Sequence, residues 1–134
     1  MSYWLLKSDP DTYSFNDLER DKKTVWDGVA NPLALKHLRD MKKGDVAFVY
    51  HSGDEKSIVG IANVISGSYP DPKQKDPRYV VVELSFKEWV KNPVTLAAIK
   101  GRKEFADFAL VRMSRLSVMP VSASQWRELL LMSQ

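Results

Sequence analysis

The chain contains no cysteine, which excludes disulfides, thiolate metal sites and a cysteine nucleophile. Its only histidines, His37 and His51, are too few for a zinc site without thiolates and do not stand at ligand spacing. No apolar run approaches the roughly 20 residues that span a bilayer, so no membrane partner is expected. The opening MSYWLLKSDP lacks the basic region and long apolar stretch of a secretory signal. A cytoplasmic location, or a nuclear one in a eukaryote, is the expectation. Internal repeats, low-complexity tracts and Gly/Ser linkers are also missing, so residues 1–134 are expected to form one domain. There is no P-loop, GxGxxG, HExxH or GxSxG motif. No catalytic residue, metal or cofactor is therefore expected.

What remains is an ordinary globular composition, 44% hydrophobic and 28% charged. A net charge of +3 favours phosphate contact without establishing it. The four Trp, five Tyr and five Phe belong mostly to a core or to half-buried sheet positions.

Local signals predict a strand over Tyr3–Lys7, ended by the turn-prone Ser8-Asp9-Pro10-Asp11. Ser14 and Asp17 form a loose N-cap for a short helix through Leu18. Asn31-Pro32 starts a helix carrying Leu35, Leu38 and Met41, stopped by Gly44. Val46–His51 and Ile58–Ile65 read as a hairpin, and Tyr69–Pro77 as an exposed loop. A long strand over Tyr79–Trp89 follows, then a short helix over Pro93–Lys100 capped by Thr95 and a turn at Glu104–Phe108. Leu116–Val121 returns to strand, and Ser122 with Gln125 forms a capping box for a last helix bearing Trp126, Leu129 and Leu130. Five or six strands with short helices inserted between them predict an α+β fold, a small mixed β-barrel.

Five clusters carry chemistry. Lys7-Ser8-Asp9 sets an ammonium beside a hydroxyl and a carboxylate, a set able to meet a phosphate and a base edge, and equally an ordinary solvated turn. Trp26-Asp27-Gly28-Val29-Ala30-Asn31 places an indole in a short loop before a helix. A flipped base needs such a flat wall, where stacking is worth roughly 1–3 kcal/mol. Asp27 and Asn31 would then bond the base's polar edge; the alternative is a core Trp with Asn31 acting as N-cap, which it is expected to do in either case. In Tyr50-His51-Ser52, His51 and Ser52 are candidate base contacts. As strand neighbours they point to opposite faces and do not form a nucleophile–base pair. Tyr69-Pro70-Asp71-Pro72, with Lys73, Lys75, Arg78 and Tyr79, interleaves basic and aromatic side chains as nucleotide contacts do, or as a solvated loop does. Arg112 and Arg115, three residues apart, could pair on phosphate; Arg112 is the phosphate candidate and Arg115 reads as structural.

Together these stretches resemble the EVE domain family over about Tyr3 to Trp126. The resemblance rests on Tyr3-Trp4-Leu5-Leu6-Lys7-Ser8-Asp9-Pro10, Trp26-Asp27-Gly28-Val29, Met41-Lys42-Lys43-Gly44-Asp45, Tyr50-His51-Ser52, Val59-Gly60-Ile61-Ala62, Tyr69-Pro70-Asp71-Pro72 and Ser114-Arg115-Leu116-Ser117-Val118. It implies a PUA-like barrel related to YTH domains, and a partner in RNA or DNA that carries a modified base, with cytosine derivatives proposed. By that analogy Trp26 is one cage wall, Lys7, Ser8 and Asp9 are its polar rim, and Tyr69 or Tyr79 is the opposing wall. The chain departs from the family pattern at Asp9, where Glu is usual, and at Ala30, where Arg is usual. The helix after Asn31 reads Pro32-Leu33-Ala34-Leu35-Lys36, where an aromatic and further Asn or Arg are common. Losing that Arg removes five donors and a permanent charge. Two other functions compete: an amidohydrolase of the related ASCH type, using Lys7 with Asp9 or Asp71, and a protein-interaction module with a vestigial pocket.

Overall fold

Three consecutive buried residues, Trp4, Leu5 and Leu6, mark a strand covered on both faces and paired on both edges. The computed structural model, which describes residues 1–134, shows why. Strand β1 (Tyr3–Ser8) lies parallel to β3 (Val46–His51) and antiparallel to β7 (Val118–Val121). Between β1 and β3 the chain makes α1 (Phe15–Asp21), β2 (Lys23–Trp26) and α2 (Pro32–Asp40), the long crossover that a parallel pair requires. β4 (Ser57–Val64) forms the expected hairpin with β3 and pairs on its other side with β6 (Val80–Thr95). Sheet order is β2-β6-β4-β3-β1-β7, with β5 (Tyr69–Pro70) on β6 outside that path.

This is a seven-stranded mixed sheet, not a closed barrel of five or six strands. β2 pairs only with β6 and β7 only with β1, so the two edges never meet. Two strands were missed in the sequence: β2, whose Lys-Thr-Val-Trp is too short to show a period, and β5, two residues of the stretch expected to be an exposed loop that instead pair with β6. β6 continues through Pro93 to Thr95, so the helix α3 (Leu96–Lys100) starts later than expected, still capped by Thr95. Pro93 falls in the register break between Ile58 and Gly60, where a missing N–H costs no ladder bond.

The helices begin where their caps dictate. Ser14 and Asp17 form a full capping box on α1, and Asn31 Oδ1 accepts from Leu33 and Ala34 on α2. After the short α4 (Ala109–Arg112), Ser122 and Gln125 box the last helix, α5 (Ala123–Met132). Trp126 of α5 stacks on Phe48, ring centroids 3.9 Å apart, and joins one continuous core. No helix is long and apolar enough to cross a membrane.

Gly60 lets α1 approach the sheet. A Cβ there would overlap the Phe15 ring, which is fully buried and also meets Phe86 and Trp89. Phe15 thereby roots the start of α1, and the loop before it, against β4 and β6.

Candidate functional site

Strand β2 is an edge, so Trp26 at its end has a ladder neighbour, Val82, on one side only. Trp26 also lines a cavity of about 600 Å³, within the range of ligand clefts. The indole is 8% exposed and lines it. Tyr13, in the loop between β1 and α1, lines it too, its ring perpendicular to Trp26 at a centroid distance of 6.4 Å. The Tyr13 hydroxyl donates to Asp21 Oδ2 at 2.9 Å, which fixes the ring. Burial pushes that phenol above its usual pKa, so it stays neutral. Beyond Trp26 the chain turns at Gly28, whose φ of +78° a side chain rarely adopts. That turn brings Asp27, Val29 and Ala30 back to the same cavity.

The polar rim comes from the end of β1. Lys7 Nζ donates to the Ser114 carbonyl at 2.9 Å and sits 5.8 Å from the Tyr50 ring centroid. Burial lowers the pKa of this lysine. The Ser8 hydroxyl donates to the Tyr13 carbonyl, and the Asp9 carboxylate accepts from Asp11 N–H at 2.9 Å. The Asp9 carbonyl accepts from Thr12 and Tyr13, so the whole loop is tied down. Across the opening, Lys73 Nζ meets Asp27 Oδ2 at 3.4 Å. Two ammonium groups and two carboxylates thus line one cavity, Lys73 and Asp27 paired with each other. Such a rim presents both donors and acceptors, which suits the edge of a planar heterocycle better than a free anion.

Of the residues singled out in the sequence, Lys7, Ser8, Asp9, Trp26, Asp27 and Lys73 converge on this cavity although they span 67 positions. The others lie elsewhere. Asn31 spends its side-chain oxygen on the α2 cap. His51, 3% exposed, accepts from Phe15 N–H through Nε2 at 2.9 Å and meets the Glu55 carboxylate through Nδ1. Ser52 bonds the Ser8 carbonyl. Tyr69 donates to Glu83 at 3.0 Å, and buried Asp71 accepts from Lys73 N–H. Tyr79 and Arg78 line a second, smaller cavity, while exposed Lys75 and Arg112 line neither.

The sequence reading missed Thr12, Tyr13, Thr24 and Val25, all of which line the main cavity, and it noted Ser117, which lines it too, only as part of a motif. An aromatic residue just before an N-cap was a visible signal, but it reads first as a hydrophobic staple. Thr24 and Trp26 would have shared a face had β2 been read as a strand.

The EVE domain family model matches residues 2–132. A protein of known structure from Rhodopseudomonas palustris is 41% identical with a TM-score of 0.94, covering 99% of this chain and 93% of its own. Human thymocyte nuclear protein 1 (THYN1) is 29% identical over 159 aligned positions, which take in 93% of this chain and 71% of that protein. The crystal structure of human THYN1 in complex with DNA containing 5-methylcytosine superimposes with a TM-score of 0.93 at 28% identity, covering 100% of this chain and 98% of that one. An ASCH protein from Zymomonas mobilis shares the fold alone, at 12% identity and a TM-score of 0.63, covering 97% and 94%.

Proposed function

Because this chain belongs to the EVE domain family, we propose that it reads modified bases in DNA, holding one extruded base in the cavity beside Trp26. The observation that carries this reading is the aromatic corner of Trp26 and Tyr13 inside the main cavity. The complex of human THYN1 with DNA containing 5-methylcytosine supports both the partner and a modified cytosine as the class of base.

The energetics require more than stacking. Extruding a base costs a few kcal/mol, and one stacked base returns roughly 1–3 kcal/mol. Bonds to the base's polar edge must supply the surplus, and each well-placed pair is worth about 1–3 kcal/mol of discrimination. Trp26, most of whose indole is packed in the core, offers the base the part of its ring that lines the cavity, and Tyr13 closes one side. Lys7, Ser8, Asp9 and Asp27 offer the edge contacts, and Lys73 at the mouth is placed for the backbone phosphate.

A non-catalytic role is favoured by how the candidate groups are already engaged. Lys7 and the Ser8 hydroxyl each donate to a backbone carbonyl, and Nε2 of His51 holds the Phe15 amide. None is set as a nucleophile with a base beside it. The ASCH likeness carries architecture only and lends the amidohydrolase reading no support.

The test is titration with two duplexes that differ only in one 5-methylcytosine, at fixed and stated salt. The wild-type chain is expected to prefer the methylated duplex, and Trp26→Ala to lose about 1–3 kcal/mol of that binding. Equal affinity of the wild type for both duplexes would sink the proposal.

A further inference from the structure

Ala30 lines the main cavity and also a second one of about 240 Å³, so the two adjoin at this residue. The second cavity has a floor of Pro32 and Leu35, from the first turn of α2, and a half-buried aromatic wall, Tyr79. Its remaining lining residues are two arginines. Arg39, in the last turn of α2, donates Nη2 to the Arg78 carbonyl at 2.8 Å, which ties the helix to the segment before β6. That leaves its other donors free. Arg78 is held through Nε and Nη2 by Asp76, leaving Nη1. Asp76 offsets the charge of Arg78, so Arg39 supplies the net positive charge of this cavity.

We infer that the second cavity is a subsite for the nucleotide next to the extruded one, with its phosphate on Arg39 and Arg78 and its sugar or base against Tyr79. Ala30 is the residue the two linings share, so nucleotides held in the two cavities would be close neighbours. An apolar floor offers nothing to a bare anion, whereas the sugar and base of a nucleotide cover it. Guanidinium groups suit phosphodiester oxygens by geometry as well as charge. The identity of the ligand rests on the reading proposed above; the subsite itself rests on the junction at Ala30 and the two arginines.

The experiment compares wild type, Arg39→Gln and Ala30→Leu, all at exposed positions. Probes are the 5-methylcytosine duplex, its unmodified twin and free 5-methylcytidine, across about 50 to 200 mM salt. Arg39→Gln is expected to weaken both duplexes about tenfold at the lower salt, and to lower the slope of log K against log salt by about 1. Ala30→Leu is expected to weaken both duplexes and to lower that slope in the same way, because a nucleotide kept out of the second cavity no longer sets its phosphate on Arg39. Arg39→Gln should hold 5-methylcytidine as wild type does, read by quenching of tryptophan fluorescence. Wild-type affinity and slope in Arg39→Gln overturns the subsite, whichever duplex is used. A wild type that binds both duplexes equally overturns the base-reading proposal instead, and the slope of Arg39→Gln on the unmodified duplex still decides the subsite. Failure of the wild type to bind either duplex overturns both.

Discussion

The Tyr13 ring stands edge-on to the Trp26 ring, planes 88° apart and centroids separated by 6.4 Å, and both line one cavity. A planar base lying on Trp26 would meet Tyr13 on its flank. Edge-to-face aromatic contacts are worth about 0.5–1.5 kcal/mol beyond burial. Tyr13→Ala is therefore expected to weaken binding of the 5-methylcytosine duplex roughly fivefold. Tyr13→Phe keeps the ring and should bind within about twofold of wild type, although it gives up the bond to Asp21. Titration of the two variants side by side decides whether the ring or the hydroxyl matters.

His51 was a candidate base contact in the sequence, yet its Nε2 accepts the Phe15 amide at 2.9 Å from a position 3% exposed. His51→Phe leaves that amide without a partner. The expected cost is about 1–3 kcal/mol of folding stability, the penalty for a buried donor left unmade. DNA affinity of the folded fraction should stay within about twofold. Denaturant unfolding and binding measured on the same samples separate the two effects; lost affinity with unchanged stability would make His51 a ligand contact.

These two residues show what a single sequence can and cannot reveal. Signals that act over three or four residues were legible. Ser14 with Asp17, Asn31-Pro32, Thr95 and Ser122 with Gln125 all cap helices as read. Pairings between distant strands were not legible. Nothing in Lys23–Trp26 announces a strand until β6 lies alongside it, and a closed barrel and an open sheet differ only in whether two edges meet. The site divides in the same way. The motif around Trp26 and the end of β1 drew attention through unusual residue types. Tyr13 escaped because its place is set by the docking of α1, a long-range event.

That docking depends on Gly60, where a Cβ would collide with the Phe15 ring. Gly60→Ala is expected to cost about 1–3 kcal/mol or more, since a packed core must shift to admit the methyl. Phe15→Leu alone also destabilises, by opening space in a fully buried position. The double variant should lose less than the sum of the singles, because the smaller side chain makes room for the added methyl. A coupling of about 0.5–3 kcal/mol is expected for residues in contact. Chemical denaturation of the four proteins measures it, and strict additivity would show that Gly60 serves some purpose other than admitting Phe15.

Asp45 provides the pH test. Its carboxylate is buried at the start of β3 and accepts from Trp4 Nε1 and from the Ser2 and Lys42 amides, each at 3.0 Å. Burial alone would raise its pKa, but these three donors together outweigh that and hold it below the usual carboxylate value. A carboxylate depressed in the folded state adds stability that is complete above its unfolded pKa and is lost as pH falls through the folded one. Asp45→Asn keeps the shape but sets an amide NH₂ against those donors. It is expected to cost about 2 kcal/mol or more at pH 7, from hydrogen bonds to a charged group. The gap between wild type and Asp45→Asn should narrow as pH drops below about 4, because the wild-type carboxylate then protonates and loses its advantage. Exposed carboxylates titrate in the same range, but they are common to both proteins and cancel in the difference. Unfolding free energies measured from pH 7 to pH 2 would trace this convergence, and a gap constant across that range would mean that the Asp45 charge contributes nothing to the fold.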